Sequence, residues 1–186
     1  MVKAFALVAH PDFPSGAIDS IAVTLERHRD RLDLSFAVFG AIDDVAWPGD
    51  RTDGAIAGEQ ADERRADDLW RHSCFEAFVA SAGAPGYREL NLTTSGHWAA
   101  YAFDGYRAGM RSASDVRLVE AGWRFGDRRA DIWVSVAVPH PHEDWACNVT
   151  AVVETKDGGK SYWALAHAPG APDFHDRASF LATLPA

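Results

Sequence analysis

The sequence predicts an all-β fold: a two-sheet antiparallel β-sandwich, jelly-roll or immunoglobulin-like, with a short C-terminal helix, in one domain over residues 1–186. Three observations predict it. Apolar residues recur with period two along segment after segment, the mark of strands buried on one side. Turn sequences rich in Gly, Asp and Pro separate those segments. Roughly nine or ten such segments follow one another, joined mainly by turns, as in antiparallel sandwiches.

Taken in order, KAFALVAH (3–10) is a short apolar strand, and the β-branched content of AIDSIAVTLERH favours a second. RLDLSFAVFG alternates Leu32, Leu34, Phe36 and Val38 with Asp33, Ser35 and Ala37, a half-buried strand. From Gly40 to about Asp68 the chain is rich in Gly and Asp, and WPGDRTDG is turn chemistry; a loop this long belongs to the functional or mobile class. Within it, GEQADERRADDLW has room for one short helical turn. Three strands follow between Cys74 and Phe103. VRLVEAGWRFGDRRADIWVSVAVP reads as a hairpin turning near Gly126–Asp127, with Ile132, Val134, Val136 and Val138 on one face. PHPHEDW is a loop, and WACNVTAVVETKDGGKSYWALAHA is a hairpin turning at KDGG. DFHDRASFLATL is the helix candidate, with Asp176 as its cap.

Composition limits the function classes. The 186 residues are 47 % hydrophobic, enough for one real core. No apolar run approaches the roughly 18–20 residues of a membrane helix. The start, MVKAFALVAHPDFPSGAIDS, is a poor secretory signal, so the expected location is cytoplasmic. The net charge of −9 offers no basic footprint for nucleic acid. Cys74 and Cys147, the only cysteines, read as small buried apolar groups. There is no phosphate loop, nucleophile elbow or zinc-protease helix.

The segment CFEAFVASAGAPGYRELNLTTSGHWAAYAFDGYR (74–107) raises the functional question. A loop at 81–86 sets Phe78 opposite Glu89 and Glu76 opposite Asn91. A loop at 93–96 sets Asn91 opposite Trp98 and Leu90 opposite Ala99. Opposed residues share a face. One face then holds Phe75, Ala77, Val79, Leu90, Leu92, Tyr101 and Phe103, which is a core. The other holds Cys74, Glu76, Phe78, Tyr87, Glu89, Asn91, Trp98, Ala100 and Ala102. Its mix of rings, small residues and hydrogen-bonding groups suits a saccharide, with apolar C–H faces and hydroxyl edges. A solvated face lined with aromatics is the alternative reading. A one-residue slip in either hairpin breaks the pattern.

These residues resemble the DOMON-like superfamily, close to the family 9 carbohydrate-binding modules. The resemblance rests on Trp70, Glu76, Phe78, Tyr87, Glu89 and Asn91 in LWRHSCFEAFV and YRELNLTTSGHW. It continues through Trp145, Asn148, Trp163, His167, Pro169 and Phe174 in the C-terminal part, covering about residues 69–180. It implies two antiparallel sheets and a ligand held by a sheet face and loops. In the sugar-binding branch aromatics clamp a saccharide; in the haem branch a Met and a His ligate iron.

The first functional expectation is therefore a non-catalytic domain binding a saccharide or sugar-derived small molecule, with no cofactor. Trp98, Trp163 and Trp70 would stack on the ligand, and Glu76, Glu89, Asn91 and Asn148 would bind its polar edge. The second is a haem b electron-transfer domain using Met110 and His167. The third is a structural sandwich whose aromatic face is buried in a homodimer. Other groups weigh less. His140, His142, Glu143 and Asp144 could ligate a divalent metal or simply form a solvated turn. Glu76 and Glu89 are the residue types of a glycosidase pair, yet Arg88 and Asn91 nearby could satisfy them without chemistry. Arg107 reads as a structural ion pair; Arg88 is either that or a reader of ligand anions.

Overall fold

The computed structural model describes residues 2–140 and 142–186. Its strands are β1 (Val2–Ala9), β2 (Ile18–His28), β3 (Arg31–Gly40), β4 (Gly54–Ala57), β5 (Cys74–Ser81), β6 (Tyr87–Leu92) and β7 (Trp98–Phe103), then β8 (Arg111–Ser112), β9 (Arg117–Phe125), β10 (Arg129–Ala137), β11 (Trp145–Glu154), β12 (Lys160–Ala164) and β13 (Ala182–Leu184). One helical turn, α1 (Glu59–Asp62), lies in the predicted long loop. That stretch also supplies β4, which pairs with β9. Among the described residues no helix is long and apolar enough to cross a membrane.

The expected two-sheet sandwich is corrected by the strand order. The strands form a single sheet in the order β4-β9-β10-β3-β2-β1-β12-β11-β5-β6-β7-β8, with β13 added beside β11. That sheet curls into a half-barrel. The physical reason is β1, which serves two neighbours in turn. Its residues Val2 to Leu7 pair with β2, and Val8 and Ala9 pair with β12. The hydrogen-bonded ladder therefore runs on from one arm of the sheet into the other.

Curling buries one side of both arms. Leu32, Leu34, Phe36 and Val38 of β3 point inward, as their period predicts, with Ile132, Val134 and Val136 of β10 beside them. Phe36 meets Phe75 of β5 across the interior at 5.0 Å between ring centroids, and Trp47 stacks over the same Phe75. Inward side chains from two arms thus make one core.

The arm that holds β5, β6, β7 and β11 differs from the rest because both of its faces are buried. The outer face is covered by the loop after β7 and by the chain after β12. The expected C-terminal helix is corrected here. Asp176 does cap a turn, accepting from the Ala178 N–H at 2.9 Å. The turn is a 3₁₀ turn, Arg177–Ser179, and the chain then extends into β13, whose Trp145, Ala146 and Cys147 partners lie on β11. The buried Arg27 anchors that ending, donating to Leu184 O at 2.9 Å and to Glu143 O at 2.8 Å while its guanidinium lies over Trp145.

Candidate functional site

The first hairpin has the register the sequence predicts: Glu76 opposes Asn91, and Phe78 opposes Glu89. The second does not. Leu92 opposes Trp98, Asn91 opposes Ala99 and Glu89 opposes Tyr101. The connection is one residue longer than TTSG. Thr93 N–H donates to His97 O at 3.0 Å, and Gly96 N–H donates back to Thr93 O at 3.1 Å. Gly96 has a φ of +81°. A turn followed by a left-handed Gly is a bulged hairpin, which takes up one extra residue.

That slip turns every β7 side chain over. Trp98 leaves the polar face for the core, fully buried. Its Nε1–H donates to Ala61 O at 2.5 Å, and Arg65 lies over its ring at 4.0 Å. It pins the 40–68 segment to the sheet. Tyr101 and Phe103, expected in the core, take its place on the outer face. Trp163 is also inside, beside Ala151 in register and with its Nε1–H on Ser161 Oγ at 3.0 Å. The neighbours of Trp163 on β12, Tyr162 and Ala164, face outward instead.

On that outer face lies a cavity of about 330 Å³. Glu76, Phe78 and Glu89 line it from β5 and β6, and Phe103 from β7. Trp70 and Tyr162, both half-buried, form walls, and the C-terminal loop contributes Phe174 and His175. Arg107 and Met110 come from the loop after β7. Of the seven residues expected to bind ligand, Trp70, Glu76 and Glu89 line the cavity. Asn91 lies fully buried behind it, donating from Nδ2 to Glu89 Oε1 at 2.7 Å and accepting from the Cys74 thiol. Asn148 is fully buried under the C-terminal loop. Its Nδ2 donates to Phe174 O and Ser179 Oγ, at 3.0 and 2.9 Å, and so fastens that loop across the face.

The two carboxyls set the electrostatics. Glu76 and Glu89 are only 3 % and 5 % exposed. Thr150 Oγ1 donates to Glu76 Oε2 at 3.0 Å, but Glu76 Oε1 and Glu89 Oε2 have no hydrogen-bond partner. Burial, and then the neighbouring charge of Glu89, pushes the Glu76 pKa up to about 8. Burial also raises Glu89, against the opposing pull of Asn91 and Arg107.

A hydrogen-bonded relay runs toward the second carboxyl and stops at His175. Arg107 N–H donates to Tyr87 Oη at 3.3 Å, leaving the tyrosine's own proton for His175 Nδ1 at 2.7 Å. Burial, followed by the Arg107 charge, lowers the His175 pKa to about 4, so the ring is neutral near pH 7. The remaining ring proton therefore sits on Nε2, which faces Glu89 Oε2 at 3.9 Å, too long for a hydrogen bond. At the rim, Arg107 is paired with Asp173 at 2.9 Å. Arg88 is spent on Asp115, a two-nitrogen pair away from the cavity.

The residues named for haem are not brought onto one cavity. Met110 lines the cavity and is half exposed, whereas His167 does not. His167 donates from Nε2 to Val8 O at 2.8 Å, and its ring packs edge-on against His10. Among the described residues no group of three or more His, Cys, Asp or Glu could hold a metal ion.

Phe103, Tyr162, Phe174, His175 and Arg107 were not expected at the site from the residues alone. The bulge hid Phe103. The others arrive on irregular loops or by strand parity, which periodicity does not resolve.

No family model matches the chain, and no curated protein matches it. Among solved structures it is similar to a protein of Bacteroides uniformis ATCC 8492 described as a putative carbohydrate-binding protein. The TM-score is 0.60 at 13 % identity, over 97 % of this chain and 84 % of that one. The shared property is the fold. It does not single out the DOMON-like superfamily or the family 9 modules.

Proposed function

We propose that this protein binds a saccharide or sugar-derived small molecule, without transforming it, in the cavity between Trp70, Tyr162 and the Glu76–Glu89 floor. The observation that carries the reading is the pair of buried carboxyl oxygens without partners beside an otherwise aromatic cavity. A buried polar atom left without a hydrogen bond costs about 1–3 kcal/mol. Two such atoms on adjacent strands are what a site looks like before its ligand supplies the donors. The volume of about 330 Å³ lies at the small end of small-molecule sites. Half-buried Trp70 and Tyr162 offer flat apolar faces for C–H groups. The fold likeness to a protein described as carbohydrate-binding agrees with this reading.

Titration calorimetry against a panel of mono- and disaccharides tests it, with Trp70→Ala and Glu89→Gln as variants. Binding by the wild type is expected, weakened roughly tenfold or more by either change. Trp98→Phe, a change in the core, should leave affinity within about twofold. Heat from no sugar in the panel, or affinity indifferent to both cavity variants, would overturn the reading.

A further inference from the structure

Among the described residues no Lys or Arg forms an ion pair with Glu76 or Glu89; Arg107 acts on Glu89 only through its charge, without touching it. Arg107 is the only Lys or Arg on the cavity, and its guanidinium is held at the rim by Asp173 Oδ1. His175, the nearest base, is neutral and offers only an N–H. The remaining groups that act on the pair are Cys74 and Thr150 from the strands on either side, with Asn91 and Tyr87 from β6 and Tyr101 from β7. None of these carries a positive charge. A metal ion lacks a third ligand of the right type in place.

Around the two acids stand aromatic rings. Phe78 and Phe103 lie on the sheet side, Phe174 on the loop side, and Trp70 and Tyr162 at the walls. Ring faces attract cations through their quadrupole, and most strongly where water is excluded. A carboxyl pair ringed by aromatics is thus matched in two ways to a charged nitrogen. A neutral hydroxyl satisfies the lone pairs but leaves the pair's charge unanswered, so one acid must keep its proton.

Resting on the saccharide reading above, we propose that the ligand carries a protonated amine, as in an amino sugar, whose ammonium sits between Glu76 and Glu89 and against the aromatic rings. The ammonium supplies N–H donors to Glu76 Oε1 and Glu89 Oε2, the two oxygens that lack them. Its charge displaces the proton held on Glu76, which leaves to solvent, so binding is an exchange of one proton for one cation.

Matched pairs differing only in amine against hydroxyl test this by calorimetry in phosphate buffer at pH 7. The probes are glucosamine with glucose, galactosamine with galactose, and cyclohexylamine with cyclohexanol as the pair without a sugar. The expected result is a preference of roughly tenfold or more for the amine of a sugar pair. Infrared difference spectra should show loss of a carboxylic-acid carbonyl band on amine binding and none with the alcohol. Glu76→Gln, which mimics the protonated acid, should abolish the preference; the wild-type pairs decide the matter even if that variant folds poorly. Equal or tighter binding of the neutral sugars overturns the amine inference and leaves saccharide binding standing. Binding of cyclohexylamine alone supports the amine and removes the saccharide. Binding of none overturns both.

Discussion

At the scale of single residues, the site is held by groups that never touch a ligand. Tyr87 is fully buried, and its hydroxyl accepts from Arg107 N–H while giving its proton to His175 Nδ1. Tyr87→Phe removes both bonds and leaves a buried imidazole acceptor empty. The expected cost is about 1–3 kcal/mol, read from the urea midpoint at constant slope. In the wild type the His175 imidazole should stay neutral in NMR titration down to about pH 4, with burial and Arg107 as the causes. An unchanged midpoint in the variant would show that the relay carries no weight. The carboxyls and Asn91 were legible in the sequence because residue type alone marks them: an acid or amide in a strand-like run asks for an explanation, whereas Trp70 came only from the family resemblance. His175 and Phe174 were not placed at the site, because what brings them there is Asn148 gripping the loop backbone, a contact between positions 26 residues apart at Phe174.

At the scale of elements, one glycine decides which face Trp98 occupies. Gly96 holds a φ of +81°, and a Cβ there would meet the Trp123 ring at 3.0 Å and Arg64 Nη1 at 3.1 Å. Gly96→Ala therefore strains the backbone and crowds the contact between this hairpin tip and β9. A loss of roughly 1–3 kcal/mol is expected in chemical denaturation, with Trp98 emission shifting to the red as its packing loosens. Stability equal to the wild type would mean the bulge is not what fixes the register. The same glycine explains the limit of sequence reading here. The 81–86 loop was counted correctly, so Glu76, Asn91, Phe78 and Glu89 fell into register. At 93–97 a loop and a bulge differ by one residue, and turn chemistry alone does not separate them. Strand periods likewise gave inward faces for β3 and β10 but could not tell which strands adjoin, and so missed the passage of β1 from one arm to the other.

At the scale of the whole molecule, the buried acids make stability depend on pH in an unusual sense. Glu76, at about 8 in the folded chain against 4.5 ordinarily, holds a proton that the unfolded chain has released. The folded state then binds more protons than the unfolded one, so stability falls as pH rises through this window. His175, at about 4 against 6.5, acts in the opposite direction: the unfolded chain binds the extra proton, and stability rises with pH between those values. Asp115 and Asp173 are lowered by Arg88 and by Tyr106 with Arg107, so their contribution is lost only in acid. Up to pH 6.5 the histidine offsets the glutamates; above it the glutamate slope stands alone. Unfolding free energy from urea titrations should therefore drop by about 2 kcal/mol between pH 6.5 and 8.5. Glu76→Gln should remove most of that drop, because the amide has no proton to surrender, and should exceed the wild type in stability at the upper pH. A bound ammonium should act in the same direction on the wild type, raising its stability most at pH 8.5, where the pair is forced to ionise. A flat profile in the wild type would show that Glu76 is not held protonated by the fold, and with it would go the reason for a cation to be drawn into the cavity.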